Sequence, residues 1–371
     1  MRIGELIKYL ECWAPPGVSW EKDNSGLQTG NTEETLKSIF LCLELTPEAL
    51  SEAIRKNCNL IITHHPLIFR PIKNLNFQTD KISQLIKQLI KHDITLYSSH
   101  TSLDFSKNGV SYELAKTLGL NQIRFLENID GKLLKIIVFV PEENLESVSE
   151  AMFSARAGII GEYSKCSFNT KGTGTFLGSS GSNPHKGIKQ NFEKTGEIKL
   201  EVLVHHWDLN NVLKSMIKAH PYEEPAYDVI SLKNKTSNYG MGAIGLLPEP
   251  LSVNEFFKLV SEKISVKNLK FTPGNKTEIK YVAVCGGSGS DLLNSAIKFK
   301  ADAFITADVK YHTFHDAFEK ILLIDAGHYE TEIFSLNALQ RYFEEYLIKT
   351  DSKIRVHKYS GCTNPVKFYN N

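Results

Sequence analysis

Two stretches of this chain alternate short apolar runs with amphipathic ones, and that alternation restricts the fold more than any other feature. Residues 38–45 read as a strand, 47–55 as a helix, 60–63 as a strand, 81–91 as a helix and 94–98 as a strand. Strands separated by helices of this length join through βαβ crossovers and build a largely parallel sheet. The pattern returns towards the other end, where residues 280–285, 303–306 and 321–324 are buried-strand runs separated by helical ones. A last helix there carries an apolar seam at Ile333, Leu336, Leu339, Phe343 and Leu347. Both thirds are therefore expected to form one α/β domain with a mostly parallel sheet. An opening helix over residues 3–10 precedes them, followed by a turn-rich stretch at 20–27.

The middle breaks the rhythm. Residues 134–140 followed by 145–155 resemble 200–204 followed by 209–219, each a strand, a polar turn and a helix. With strands near 163–168 and 226–232 the order becomes βαββαβ, a ferredoxin-like α+β arrangement. Its long loop is expected in the Gly/Ser/Asn-rich residues 172–187, and residues 233–242 read as the linker back. The predicted organisation is a parent α/β domain over residues 1–128 and 237–371, split by an insert over 129–236.

Charge and cysteine usage narrow the function classes. The 43 basic and 42 acidic residues nearly cancel, and no run of Lys or Arg offers an electrostatic footprint for nucleic acid, which is not expected as a partner. Cys12, Cys42, Cys58, Cys166, Cys285 and Cys362 are scattered, and several sit inside apolar runs such as Val282-Ala283-Val284-Cys285. Buried reduced thiols are the simplest reading, and they imply a reducing compartment. No basic-then-apolar leader and no membrane-length apolar run is present, so a cytoplasmic protein is expected.

Three separated blocks carry the chemistry: Thr63-His64-His65-Pro66, His100-Thr101-Ser102-Leu103-Asp104 and Gly327-His328-Tyr329-Glu330-Thr331-Glu332. His64 and His65 follow one strand, Asp104 follows the next, and His328 and Glu332 follow a third. His328 and Glu332 stand four apart at the start of a helical pattern, which puts them on one face. Carboxyl ends of parallel strands form the ligand crevice of open sheets, so all five are expected along the edge of one sheet. A single His or Asp after a strand is ordinarily a turn residue or a cap. Five that converge favour a His/carboxylate metal site, and two adjacent, diverging histidines suit two metals better than one. His100 reads as an outer hydrogen-bond partner or a catalytic base rather than a ligand.

These blocks, with Asp23-Asn24-Ser25-Gly26-Leu27-Gln28 and Thr306-Ala307-Asp308-Val309-Lys310-Tyr311-His312, span the parent domain from end to end. On them the chain resembles the NIF-three-like family of dinuclear-metal hexamers, also labelled GTP cyclohydrolase I type 2 homologs. The stretch His220-Pro221-Tyr222-Glu223-Glu224-Pro225-Ala226-Tyr227 resembles the PII/CutA-like domain of the family's longer bacterial members. The resemblance implies two divalent metal ions per chain held by His64, His65, Asp104, His328 and Glu332, with Glu332 bridging. It also implies a toroidal homohexamer. Two positions depart from the family pattern: Glu44 stands where Asp is expected, and Ala307 where Gly is usual. Neither is expected to touch the ligands.

Other candidates are weaker. Gly286-Gly287-Ser288-Gly289-Ser290 could cradle phosphate or simply turn the chain. Lys310 and His312 could meet an anionic substrate or lie on the surface. His220, Glu223 and Glu224 read as a solvated turn, and His205-His206 as structural.

Two metals without thiolate ligands suit water activation, so a metal-dependent hydrolase of a nucleotide-like or phosphorylated small molecule is expected, with Zn, Fe, Mn or Ni all compatible. The family label narrows this to GTP cyclohydrolase, which converts GTP and water to formate and dihydroneopterin triphosphate, with His100 or His312 moving protons. The alternative is a non-catalytic metal-binding regulatory or scaffold hexamer in which the PII-like insert senses a small ligand.

Overall fold

The computed structural model of the chain describes residues 1–369. Residues 1–127 and 239–371 make up one unit and residues 128–238 a second. The first half of unit one contributes strands β1 (Gly26–Thr29), β2 (Ser38–Cys42), β3 (Leu60–Thr63), β4 (Thr95–Ser98) and β5 (Asn121–Asn128). The second unit holds β6 (Leu133–Pro141), β7 (Ser167–Leu177), β8 (Phe192–His205) and β9 (Tyr227–Ser231). The chain then returns through β10 (Gly240–Ser252), β11 (Lys270–Thr272), β12 (Glu278–Val284), β13 (Ala303–Thr306), β14 (Leu322–Asp325) and β15 (Arg355–Lys358).

Unit one is α/β, but its strands form two sheets rather than the single one expected. The first has the order β1-β4-β3-β2-β15, with β15, β2, β3 and β4 parallel and β1 antiparallel at the edge. The second has the order β11-β14-β13-β12-β10-β5, parallel only through β12, β13 and β14. The reason lies in what periodicity encodes. A βαβ pattern fixes local crossovers, whereas the strand that closes a sheet comes from anywhere in the chain; here β15 reaches back to pair with β2.

Every residue of β2, β3, β13 and β14 is buried, as strands covered on both faces require. Successive residues point to opposite faces. Ile39 and Leu41 meet Leu336, Leu339 and Phe343 of the helix Ser335–Lys349 and Ile3 and Leu6 of the helix Ile3–Trp13. Phe40 and Cys42 turn the other way, onto Leu50 and Leu89 of the helices Pro47–Arg55 and Lys81–Lys91. Ile333 only packs at the rim of its seam. Capping fixes where helices begin: Thr46 accepts from the Ala49 amide, Asp80 from the Ser83 amide, and Ser252 pairs reciprocally with Glu255.

The second unit is an antiparallel sheet of order β7-β8-β6-β9, the βαββαβ arrangement read from the sequence. Its helices Leu145–Ser154 and Leu209–Ala219 bury Val148, Met152, Val212 and Met216 against Ile136, Val138, Leu200 and Val202. The expected loop at 172–187 is shorter at its start, because β7 runs to Leu177; the rest, 178–187, lies in the connection to β8, which begins at Phe192. Glycines in a strand are disfavoured intrinsically, but here the ladder continues unbroken from Ser167↔Val202 to Leu177↔Phe192. Only Cys42 and Cys58 of the six thiols are buried, while Cys12 and Cys362 are exposed. Among the described residues no helix is long and apolar enough to cross a membrane.

Candidate metal centre

His64 and His65 leave β3 at its carboxyl end, where Thr63 pairs with Ser98 of β4. The chain beyond β4 passes through His100 into the short helix Thr101–Asp104, which delivers Asp104. The other two side chains come from the second sheet. After β14 ends at Asp325, Gly327 turns the chain at φ +87°, and the helix His328–Glu332 follows. That positive φ is a conformation glycine adopts without the strain a side chain would bring. Gly287, at φ +62°, passes so close to the centre that a Cβ would lie 2.1 Å from Glu332 Oε1.

All five predicted ligands thus meet, but from two sheet edges rather than one. His64 Nε2 is 3.6 Å from Asp104 Oδ1 and 3.7 Å from Glu332 Oε1. At the same carboxylate, His65 Nε2 is 3.1 Å from Glu332 Oε2, and His328 Nε2 is 3.1 Å from Glu332 Oε1. The two imidazole nitrogens, His65 Nε2 and His328 Nε2, are 3.3 Å apart. The side chains therefore sort into two donor sets, His64/Asp104/Glu332 and His65/His328/Glu332, which share Glu332. A ring nitrogen of His100 also lies within 4.8 Å of His64 and His65 donor atoms.

Each histidine is aimed by its other nitrogen. His64 Nδ1 is 2.9 Å from the Ser99 carbonyl oxygen, and His65 Nδ1 is 2.9 Å from Glu44 Oε1. His328 Nδ1 is 2.6 Å from Asp308 Oδ2, and His100 Nδ1 is 2.7 Å from Asp23 Oδ1. An acceptor at Nδ1 selects the tautomer whose Nε2 carries a free lone pair, the form that ligates metals. That lone pair is unused at His64: its Nε2, like Asp104 Oδ1, is buried without a hydrogen-bond partner. Buried polar atoms are nearly always satisfied, so orphaned donors facing one another fit a cation between them. The donor set of imidazoles and carboxylates suits Zn, Fe, Mn or Ni.

The carboxylates also favour positive charge at this centre. Burial would push the three ligand imidazoles down. At His65 the Glu332 and Glu44 carboxylates overcome it and raise the ring to about 10, and at His328 Glu332 and Asp308 raise it to about 9. Against its burial, Glu332 is held ionised, well below the usual carboxylate range, by His64, His328 and His65. Asp104 is raised by burial, with Glu332 nearby adding to the effect. The Cys285 thiol is pushed up to about 12 by burial and by Asp104. His64 and Glu332 close the floor, whereas the His65, His100 and His328 side chains stay 20–38% exposed and form an open rim.

Three partners were not anticipated from sequence. Glu44 orients His65, contrary to the expectation that it touches no ligand; the departure from Asp is accommodated because the longer side chain still reaches the ring. Asp308 orients His328 from a left-handed backbone conformation at φ 53°. Asp23 is almost fully buried and accepts from His100 Nδ1, Thr101 Oγ1 and Ser25 Oγ. Asp23 and Asp308 lay inside recognised blocks, but an outer-sphere partner has no spacing of its own.

His312, the other proposed proton carrier, is not part of the cluster. It is exposed on the helix Tyr311–Ala317 with its ring against Tyr311, and Lys310 before it is exposed too. The loop at 286–290 has spent its glycine amides within the protein. Gly286 N donates to Ser111 Oγ, Gly287 N to Thr331 Oγ1 and Gly289 N to Thr306 Oγ1, so these three are not offered to a phosphate. In the second unit, His220 uses both ring nitrogens, one on the Phe139 carbonyl oxygen and one accepting from the Tyr222 amide. His205 stacks on Trp207 and joins no metal-binding group among the described residues.

Comparison with known proteins agrees with this fold. The chain is 39% identical to a Halalkalibacterium halodurans protein named GTP cyclohydrolase 1 type 2 homolog, over 87% of each chain. It is 35% identical to the Bacillus subtilis protein of the same name, over 89% of this chain and 88% of that one. The crystal structure of a Bacillus cereus protein related to NIF3 superposes with a TM-score of 0.82 at 34% identity, covering 100% of this chain and 99% of that one. The profile of Duf34/NIF3 (NGG1p interacting factor 3) matches residues 1–365. The chain therefore belongs to the Duf34/NIF3 family.

Proposed function

We propose that the chain is a hydrolase dependent on two divalent metal ions and acting on a nucleotide-like or phosphorylated small molecule. The observation that carries this reading is the pair of donor sets sharing Glu332, each histidine aimed by a separate acceptor. His64, Asp104 and Glu332 would hold one ion, and His65, His328 and Glu332 the other. Ions bound there would make water acidic enough to attack near neutral pH and would stabilise charge on a reacting oxygen.

The chain's own contribution is to position and to move a proton. Asp23 holds His100 at the rim through Nδ1, leaving its second nitrogen to accept a proton from water or return one to a leaving group. The relatives' printed names suggest the specific reaction, GTP cyclohydrolase, with formate as the first product to look for. We place the protein in the cytoplasm as a toroidal homohexamer.

A second reading is a non-catalytic metal-binding hexamer with regulatory purpose. It is favoured by the second unit, which has a complete core of its own and adds no residue to either donor set. Elemental analysis with oligomer mass, followed by formate release from GTP, separates the two. About two ions per chain with formate release supports the hydrolase. Two ions with GTP left intact under Zn, Mn, Fe and Ni would overturn that reaction, and a hexamer that takes up no metal would overturn the centre itself.

A further inference from the structure

The second unit carries a cavity of about 560 Å3, lined only by its own residues. Its position follows from the sheet. Val138, Val140 and Leu200 point to the helices, and Ile198, two residues before Leu200, is buried on the same face. Their neighbours Phe139, Glu197 and Lys199 therefore point to the opposite face, where Phe139 lies across from Lys199 and Gly172 across from Glu197. The glycine leaves the hollow: a Cβ on Gly172 would meet nothing nearer than the Glu197 carbonyl oxygen at 4.0 Å.

The walls are tied rather than loose. His220 binds the Phe139 carbonyl oxygen at 3.0 Å and accepts from the Tyr222 amide at 3.1 Å. The Tyr222 hydroxyl donates to Glu197 Oε1 at 2.8 Å. From the hairpin side, the Asn183 amide donates to Glu223 Oε1 at 2.9 Å. These bonds explain the histidine and glutamate of the 220–226 stretch, which the metal centre does not use.

Its chemistry is specific. Phe139, Phe176 and Tyr222 supply aromatic surface, while Lys186 and Lys199 bring two ammonium groups to the lining. Lys171 pairs with Ile198, so its side chain takes the opposite face and meets Glu142. The two lining ammoniums are steadied by Glu143 and Glu201, both outside the lining, and each has further donors to give. Of the lining carboxylates, Glu197 and Glu223 are engaged by protein donors, and Glu224 is exposed. A volume of this size, apolar walls and a few placed charges are the usual makings of a small-molecule site.

We propose that this cavity binds a small aromatic anion, its ring against Phe139 and Tyr222 and its negative group at Lys186 and Lys199. The site is separate from the metal centre and holds whether or not the hydrolase reading does.

The test is a fluorescence titration of the full chain with anilinonaphthalene sulfonate, an aromatic anion, beside uncharged phenylnaphthylamine. The expected result is saturation at about one sulfonate per chain, with the uncharged ring at least about tenfold weaker. Gly172→Leu, which fills the hollow, should weaken the sulfonate by about tenfold or more, and Lys186→Gln with Lys199→Gln by a smaller, salt-sensitive factor. Both lysine side chains are partly exposed, so the pair reports even if Gly172→Leu does not fold. Glu332→Ala should leave the titration unchanged. Sulfonate affinity untouched by the lysine pair, or an uncharged ring that binds as well, would overturn the assignment.

Discussion

His64 and His220 are both buried histidines beside the end of a strand, and they serve opposite ends. His220 spends both nitrogens on the backbone, so its ring is a strut. His64 spends one on the Ser99 carbonyl and leaves the other facing Asp104 and Glu332 with no hydrogen-bond partner. Residue type and burial do not separate the two; the account of each ring nitrogen does. The same account separates the loop at 286–290, whose glycine amides are spent, from a phosphate cradle.

The largest expected effect falls on the shared carboxylate. Glu332→Ala should drop metal content from about two ions per chain to well below one, by elemental analysis. Retention of both ions would mean that the two donor sets do not depend on Glu332, and the comparison would fail on its metal side. Next comes the outer shell. Asp308→Ala should weaken metal affinity by about 10–100-fold, read from competition with a chelator, while the fold survives. Glu44→Ala should act in the same direction through His65.

The strut gives the contrasting result. His220→Ala should leave metal content at the wild-type level and cost about 1–3 kcal/mol in denaturant unfolding of the second unit. A loss of metal in that variant would break the distinction drawn here.

The smallest effect is in pH. Burial, with Arg156 nearby, lowers His205 to about 4 from its ordinary 6.5, so the folded chain resists a proton that the unfolded chain accepts. Its contribution to stability is then complete above pH 6.5 and is lost as pH falls towards about 4, roughly 1 kcal/mol of it by about pH 5.5. Denaturation of wild type and His205→Asn across that range should show the slope in wild type and its reduction in the variant.

Much of this was legible in the sequence, for identifiable reasons. Ligands such as His328 and Glu332 sit at a spacing that a helix enforces, and His64-His65 follows a strand too apolar to misread. The insert announced itself by a change of rhythm. Two sheets were not legible, because pairing of β15 with β2 joins residues 355–358 to 38–41 and leaves no local trace. Nor were Glu44, Asp23 and Asp308, whose roles are set by distance across the fold. The end of β7 at 172–177 was taken into the loop because Gly172 and Gly174 look like turn residues.

The pairing of β15 with β2 also dictates an order of events. The first sheet to leave the ribosome is completed by the last strand made, and Glu332 follows His64 by most of the chain's length. Domains ordinarily fold as units during synthesis, amino-terminal parts first. Here the second unit is free to do so, whereas the metal centre has to wait for the final stretch of translation. Metal loading would thereby be confined to the finished polypeptide, because a chain stalled or truncated before residue 328 carries two of the three donors of one set and one of the three of the other.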